Sequence, residues 1–212
     1  GCHIFMEKPI SHSMDGMDEL TKALKKGGGQ FLTGFQYRFH PGLQTIREMM
    51  KQQAIGKIIS AHVRWGEYLP GWHPWEDYRQ GYSARADLGG GVVLTLCHPF
   101  DYLRWLIGEI SQVSAFTGKL SNLEISVEDT AQINLRFKNG ALGSVYLDYI
   151  QKPPSHNLLI IGDRGEIHWD NTNGKVKVFN QGKGTWQTIN PPRKFERNDL
   201  FLKQMQHFRN VA

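Results

Sequence analysis

Residues 132–149 read QINLRFKNGALGSVYLDY, and this stretch decides the fold class. Its apolar residues alternate with polar ones, beginning with Ile133, Leu135 and Phe137. A period of two is typical of a strand that buries one face, and the pair Asn139-Gly140 is a strong signal for a two-residue hairpin turn. The stretch therefore predicts two antiparallel strands joined by a tight turn.

The sequence on either side of this hairpin extends the pattern. Further strands are predicted at 58–69, from 113 onward, and at 157–161, 166–169 and 175–179. Helices are predicted from Pro41 to before Gly56, over 92–106 and over 199–212. Strands joined by short turns form an antiparallel sheet, and the helices come largely from the preceding residues. The predicted fold class is therefore α+β.

The first residues predict a different kind of unit. A short apolar strand at 3–6 is followed by a helix that Ser13 can cap, and a second strand covers 31–37. This strand, helix and strand are typical of the last unit of a parallel α/β sheet. The chain starts as if inside a strand and its last helix lacks a stop signal, so we interpret both ends as cuts within a longer protein.

Composition excludes several classes of protein. The chain has 25 Lys and Arg against 20 Asp and Glu, a net charge of +5, and its basic residues are scattered. Scattered charge favours an ordinary solvated surface with no nucleic-acid partner, although an anionic ligand is compatible with it. The two cysteines lack metal-ligand spacing, which predicts no metal site and indicates a cytoplasmic setting. No apolar run is long enough to predict a membrane span.

An irregular aromatic segment between residues 70 and 88 is a candidate binding loop. It contains Trp72, His73, Trp75, Tyr78 and Tyr82. A loop of this length is rarely a mere connection, and such loops often carry binding residues. The same side chains could instead pack on one another as a small aromatic cluster, and the sequence leaves both interpretations open.

Two segments combine ionisable groups with backbone constraints, namely Glu7-Lys8-Pro9 and residues 89–101, where three glycines precede His98. In order and content they resemble the Gfo/Idh/MocA family of oxidoreductases. Its members carry a Glu-Lys-Pro tripeptide at the end of a Rossmann domain and a Gly-Gly helix with a His in the next domain. Residues 34–41, 55–58 and 162–167 support the resemblance, which extends over nearly the whole chain.

The resemblance implies a two-part organisation. Residues 1–37 would be the end of a Rossmann domain that binds NAD or NADP, and residues 38–212 would form a substrate-binding and dimerisation domain. The second part would be a mixed, predominantly antiparallel sheet with helices on one face. Its open face would build a homo-oligomer, either a dimer or a tetramer.

The resemblance also implies roles for single residues. Lys8 would hold and polarise a hydroxyl of a sugar-like substrate, and His98 would be the general acid or base, which suits the oxidation of a carbinol. Glu7 and Pro9, with Lys8, would contact the nicotinamide cofactor. The expected substrate-binding residues are Arg38, Trp72, Tyr78 and Asp101.

One departure from the family pattern affects the catalytic histidine. Many members have an Asp four residues before the His, where this chain has Leu94. Asp101, three residues after His98, is the nearest carboxylate on the same helical face and could orient the imidazole. Pro99 lies between them and could bend the helix, which leaves this pairing open.

Two other functions remain as alternatives. Some relatives use bound NAD for a transient oxidation during hydrolysis or elimination, and net production of NADH from a sugar would separate a dehydrogenase from these. A sugar-sensing or dimerisation module would bind ligand without any chemistry. On either view the sugar, and the choice between NAD and NADP, are not encoded in these residues.

We expect the 212-residue chain alone to bind NADH weakly, because it contains no GxGxxG dinucleotide fingerprint. Titrating the chain and a full-length version with NADH, while recording nicotinamide fluorescence, checks this expectation. Tight binding by the chain alone would contradict it.

Overall fold

The chain begins with a small β-α-β motif. The computed structural model describes residues 2–182 and 184–212. Its first elements are β1 (Ile4–Glu7), α1 (Met17–Gly27) and β2 (Phe31–Gly34). The two strands pair in parallel, with Ile4 opposite Phe31 and Glu7 opposite Gly34. The predicted strand, helix and strand succession is therefore present.

The start of α1 differs from the prediction. Ser13 does not cap the helix, because its hydroxyl donates to Asp15 Oδ2 at 3.1 Å. The helix begins instead after Gly16, whose φ of 75° lies in the left-handed region that glycine adopts without steric cost. The local hydrogen bond to Asp15 competes with capping, as Ser and Asp side chains often do.

The second strand is shorter than the predicted 31–37. It ends at Gly34 because its partner β1 ends at Glu7, and Pro9 just beyond has no N–H to extend a ladder. Residues 36–39 turn into a 3-10 helix. This turn brings Tyr37 against Trp65, with ring centroids 5.6 Å apart.

An eight-stranded sheet forms the rest of the core. Its strands are β3 (Ile58–Gly66), β4 (Ile110–Gly118), β5 (Thr130–Phe137), β6 (Leu142–Asp148), β7 (Ser155–Gly162), β8 (Gly165–Asp170), β9 (Lys175–Asn180) and β10 (Thr185–Ile189). Their order across the sheet is β10-β9-β8-β7-β3-β6-β5-β4. All neighbouring strands are antiparallel except β3 and β6, so the predicted mixed, predominantly antiparallel sheet is confirmed.

Two features of the sheet were not predicted correctly. The hairpin between β5 and β6 has three loop residues, 138–140, because Phe137 N–H donates to the Ala141 carbonyl at 2.9 Å. Gly140 has a φ of 90°, the positive value that such a three-residue loop requires. The strand β10 was missed, since it is a short edge strand whose residues are mostly exposed and lack the alternation of a half-buried strand.

Helices cover one face of this sheet. They are α2 (Pro41–Lys51), α3 (Val92–Thr95) and α4 (His98–Ile107), and the C-terminal α5 (Asn198–Val211) contacts the 3-10 turn at 36–39. On the covered face the sheet buries alternate residues, including Val63, Ile133 and Val145, while Arg64, Asn134 and Ser144 lie on the other face. Within the described residues no helix is long and apolar enough to cross a membrane.

The predicted single helix over 92–106 is two helices. The chain leaves helical geometry at Leu96, and α4 starts at His98 with Pro99 in its first turn. Proline has no N–H and fits the first turn of a helix, where no such donor is needed, but not the middle of one. Pro99 therefore divides the segment and places His98 at a helix start.

Candidate active site

A cavity of about 910 Å³ lies between the β-α-β unit, the sheet and the start of α5. Its lining brings together side chains from distant parts of the sequence. The ionisable ones are Lys8, Tyr37, His40, Glu67, Tyr68, His73, Tyr82, His98, Lys152 and Arg197. Lys8 and His98, the two residues assigned to catalysis from the sequence, thus share one cavity.

Lys8 is held by a single backbone contact across the cavity. It follows directly after β1, and its Nζ donates to the Thr95 carbonyl at 2.7 Å. In an unbroken helix that carbonyl would accept from the N–H of residue 99, which is a proline. The missing N–H of Pro99 therefore leaves the Thr95 carbonyl available to Lys8.

His98 is buried at the first position of α4, with 3% of its surface exposed. Aromatic rings surround it: its ring centroid lies 4.9 Å from that of Tyr37, 5.8 Å from Phe35 and 5.9 Å from Trp65. Its Nδ1 has no hydrogen-bond partner within the described part of the chain. The packing fixes the ring, and this Nδ1 is itself buried.

The environment of His98 disfavours its charged form. Burial, and then the positive charges of Lys8 and Arg197, lower the pKa of His98 to about 3. Burial, with a smaller effect from Lys203, also lowers the pKa of His40 to about 4. Both imidazoles are therefore neutral near pH 7, and His98 can act as a hydrogen-bond acceptor for a substrate hydroxyl.

The pairing of Asp101 with His98 that the sequence left open is not present. The Asp101 carboxylate accepts hydrogen bonds from both Nε and Nη2 of Arg38; the shorter ones measure 2.9 Å from Nε and 2.6 Å from Nη2. A bidentate guanidinium contact is the stronger alternative for a nearly buried carboxylate. Neither Arg38 nor Asp101 lines the cavity, and their ion pair links the 3-10 turn at 36–39 to α4.

The other predicted site residues divide into two groups. Trp72 lines the cavity and packs edge-on against Tyr149, with ring centroids 5.5 Å apart. Tyr78 does not line it, since its hydroxyl accepts from the Glu124 N–H at 3.2 Å, whereas Tyr82 of the same loop does. Glu7 and Pro9 flank Lys8 in sequence but lie outside the cavity lining.

Several cavity residues were not predicted from the sequence. They are Tyr37, Glu67, Lys152 and Arg197. Tyr37 lies within residues 34–41, which support the family resemblance, and no motif surrounds the other three. The cavity forms only when residues 8, 98 and 197 meet in the fold. The one available signal was the position of Arg197 just before the predicted last helix, since the positive end of a helix attracts anions.

Comparison with known proteins identifies the family. The model of the GFO/IDH/MocA C-terminal domain matches residues 43–168. The chain belongs to the Gfo/Idh/MocA family. It is 29% identical over 189 residues to 2,7-anhydro-N-acetylneuraminate hydratase of Escherichia coli (strain K12), which covers 85% of this chain and 49% of that protein. It is 30% identical over 194 residues to myo-inositol 2-dehydrogenase of Thermotoga maritima, covering 86% and 53%.

Solved structures share the fold. Levoglucosan dehydrogenase in complex with NADH and levoglucosan superposes with a TM-score of 0.85 at 19% identity, covering 97% of this chain and 63% of that one. An inositol dehydrogenase homolog from Azotobacter vinelandii, complexed with NAD+, gives a TM-score of 0.78 at 16% identity, covering 93% and 53%. The chain spans about half the length of the two curated relatives named above.

We expect acid to destabilise the fold through its buried histidines. A histidine whose folded pKa is lowered binds fewer protons than the unfolded chain, so its contribution is complete above about pH 6.5 and is lost as the pH falls toward the folded value. For His98 and His40 the loss between about pH 7 and pH 5 is about 2 kcal/mol each. Urea unfolding at several pH values measures it.

The variant His98→Gln should lose about 2 kcal/mol less than the unaltered chain between these pH values, because one titrating group is gone. The matched control is His73→Gln, because His73 is exposed and meets water in both the folded and the unfolded state. An unchanged pH dependence in His98→Gln would contradict the assignment.

Proposed function

We propose that the protein containing this chain is an NAD(P)-dependent oxidoreductase. It would act on a secondary hydroxyl or keto group of a sugar, a cyclitol or a sugar derivative. The observation that carries the proposal is that Lys8 and the neutral His98 line one cavity. The names of the relatives support it, since they include a myo-inositol 2-dehydrogenase and a levoglucosan dehydrogenase solved with NADH and its sugar.

The residues present fit a nicotinamide cofactor. In open parallel α/β sheets, ligands bind beyond the carboxyl ends of the strands, which is where Lys8 follows β1. Glu7, Lys8 and Pro9 would hold the nicotinamide end there. NAD or NADP, when bound, supplies the hydride acceptor or donor for the reacting carbon.

The side chains of this chain would handle the proton and the orientation of the substrate. An ammonium has three donors, and Lys8 uses one on the Thr95 carbonyl, which leaves two for the reacting oxygen. His98 would accept the hydroxyl proton in oxidation and return it in reduction. The aromatic residues around His98 keep water from its ring, and Trp72 would pack against the sugar.

The remaining assignments are proposals of the same kind. We propose that Arg38 and Asp101 support substrate binding indirectly, through the ion pair that ties α4 to the 3-10 turn. Tyr78 would shape the loop that carries Trp72. Residues 1–37 would end the dinucleotide-binding domain, residues 38–212 would form the substrate domain, and the protein would work in the cytoplasm.

We expect Lys8→Met and His98→Gln to lower kcat/KM of the full-length enzyme by about 10²- to 10⁴-fold each, the usual contribution of acid-base groups. The measurement is formation of reduced nicotinamide from NAD+ or NADP+ with a panel of sugars and cyclitols. The control is Lys22→Met on the exposed surface of α1.

Conversion of a sugar without net reduced nicotinamide would favour the internal redox reaction instead. Retention of the physiological effect by a Lys8→Met, His98→Gln double variant would favour a binding module. Variants that fold normally and keep full dehydrogenase activity would overturn the proposed roles.

We further propose that the open face of the eight-stranded sheet builds a homo-oligomer. Exposed apolar residues lie on this face, including Phe116 (80% exposed), Leu142 (52%) and Trp186 (48%). Burying them against a second copy would remove apolar surface from water.

A Phe116→Lys, Leu142→Lys double variant of the full-length protein should therefore shift toward monomer in size-exclusion chromatography with light scattering. Leu202→Lys, at an exposed apolar position on α5, is the control. Unchanged molar mass in the double variant would argue against this face.

A further inference from the structure

The cavity carries an excess of positive charge. Its lining contains three cations, Lys8, Lys152 and Arg197, and one carboxylate, Glu67. His98, one of three histidines in the lining, is neutral near pH 7 and does not change this balance. We propose that the cavity binds a sugar acid and that Arg197 pairs with the carboxylate of that substrate. The proposal rests on the proposed function for its reaction but concerns substrate binding alone.

Arg197 is the cation of the cavity lining whose side chain has no partner in residues 2–182 and 184–212, although all three cations keep their positive charge. Lys8 donates to the Thr95 carbonyl, and the Nζ of Lys152 lies 3.3 Å from the ring centroid of Tyr68, a cation–π contact. Arg197 forms no ion pair with any acidic group in residues 2–182 and 184–212. An unpaired guanidinium at a cavity wall is a ready partner for an anion.

Nearby carboxylates do not neutralise Arg197. Glu67 accepts from the Trp65 indole N–H at 2.7 Å, and Asp199 accepts from the Glu196 N–H at 3.0 Å. Neither Glu196 nor Asp199 lines the cavity. The guanidinium of Arg197 therefore has no paired carboxylate within the described residues.

Arg197 also lies close enough to the reacting end of the cavity to influence it. Its charge helps to lower the pKa of His98 and opposes the rise in the pKa of Tyr37, which burial brings to about 12. It directly precedes α5, a helix of 14 residues whose N-terminus adds a partial positive charge. A carboxylate bound here would sit near the proposed catalytic pair.

The uncharged lining suits a sugar ring. Aromatic and proline faces can cover the C–H side of a ring, and amides can meet its hydroxyls; these groups include Trp72, Phe195, Pro153, Gln151, Asn171 and Asn173. A single planar guanidinium matches the two oxygens of a carboxylate. We therefore favour a sugar carboxylate over a sugar phosphate, whose larger charge usually recruits several cations.

Binding of the acid would have a consequence for His98. A bound carboxylate offsets the positive charge of Arg197, which is one of the causes that lower the pKa of this histidine. The bound substrate would thus raise the pKa of His98 and make it a stronger general base. A neutral sugar in the same cavity would not have this effect.

The test compares each acid with its uncharged methyl ester. Glucuronate, galacturonate and N-acetylneuraminate, with the methyl ester of each, are titrated into the full-length protein by calorimetry. We expect at least one acid to bind about tenfold more tightly than its ester, as charged hydrogen bonds typically allow. The preference should shrink as salt rises from about 0.01 M to about 1 M, because Arg197 is exposed to solvent.

Variants decide whether Arg197 is responsible. Arg197→Gln should abolish the preference for the acid, and Arg197→Lys should keep part of it. Arg193→Gln, at an exposed residue that does not line the cavity, should leave it unchanged. Three results would overturn the proposal: no acid binds better than its ester, the preference survives in Arg197→Gln, or glucose 6-phosphate binds more tightly than every acid.

Calorimetry needs no turnover, so the two proposals fail separately. If an acid binds more tightly than its ester but no nicotinamide is reduced, the proposed oxidoreductase function is contradicted and the proposed carboxylate site is supported. If only neutral sugars reduce nicotinamide and no acid binds more tightly than its ester, the oxidoreductase function is supported and the carboxylate site is contradicted.

Discussion

The absent N–H of Pro99 is the constraint on which the site depends. It ends one helix at Thr95, starts another at His98 and frees the Thr95 carbonyl for Lys8. One imino acid therefore supplies the helix start that carries His98 and the acceptor that fixes Lys8. The same contact joins the β-α-β unit to the helical layer of the sheet domain, so both parts define the cavity.

Burial then sets the chemistry of the cavity. Trp65 lies parallel to His156 with ring centroids 4.0 Å apart and stacks less closely on His98, while Tyr37 contacts both histidines. Burial in this aromatic cluster is the first cause that lowers the pKa of His98 and of His156. His98 is therefore neutral in a cavity that Lys8 and Arg197 also line, and it adds no positive charge to theirs.

The sequence was sufficient for features that depend on local periodicity or on a recognisable motif. Alternation in β5 and β6 specified the antiparallel sheet, and the Glu-Lys-Pro tripeptide with the glycines before His98 specified the family. Prediction from the sequence failed where residues far apart in the chain compete for the same partner. Helical spacing would allow Asp101 to contact His98. Its carboxylate instead accepts bidentate hydrogen bonds from Arg38, which lies 63 positions earlier in the sequence. Arg197 belongs to no motif, and only the fold could place it in the same cavity as Lys8.

The ammonium of Lys8 has three N–H donors, and one of them is bound to the Thr95 carbonyl. Two N–H bonds remain, and the Cε–Nζ bond together with the first N–H sets their directions, because the ammonium is tetrahedral. If the β-α-β unit rotates relative to the eight-stranded sheet, the Lys8 ammonium changes its orientation and both free N–H bonds change direction with it. The angle between the β-α-β unit and the sheet would then determine how well these N–H bonds align with an oxygen atom bound in the cavity.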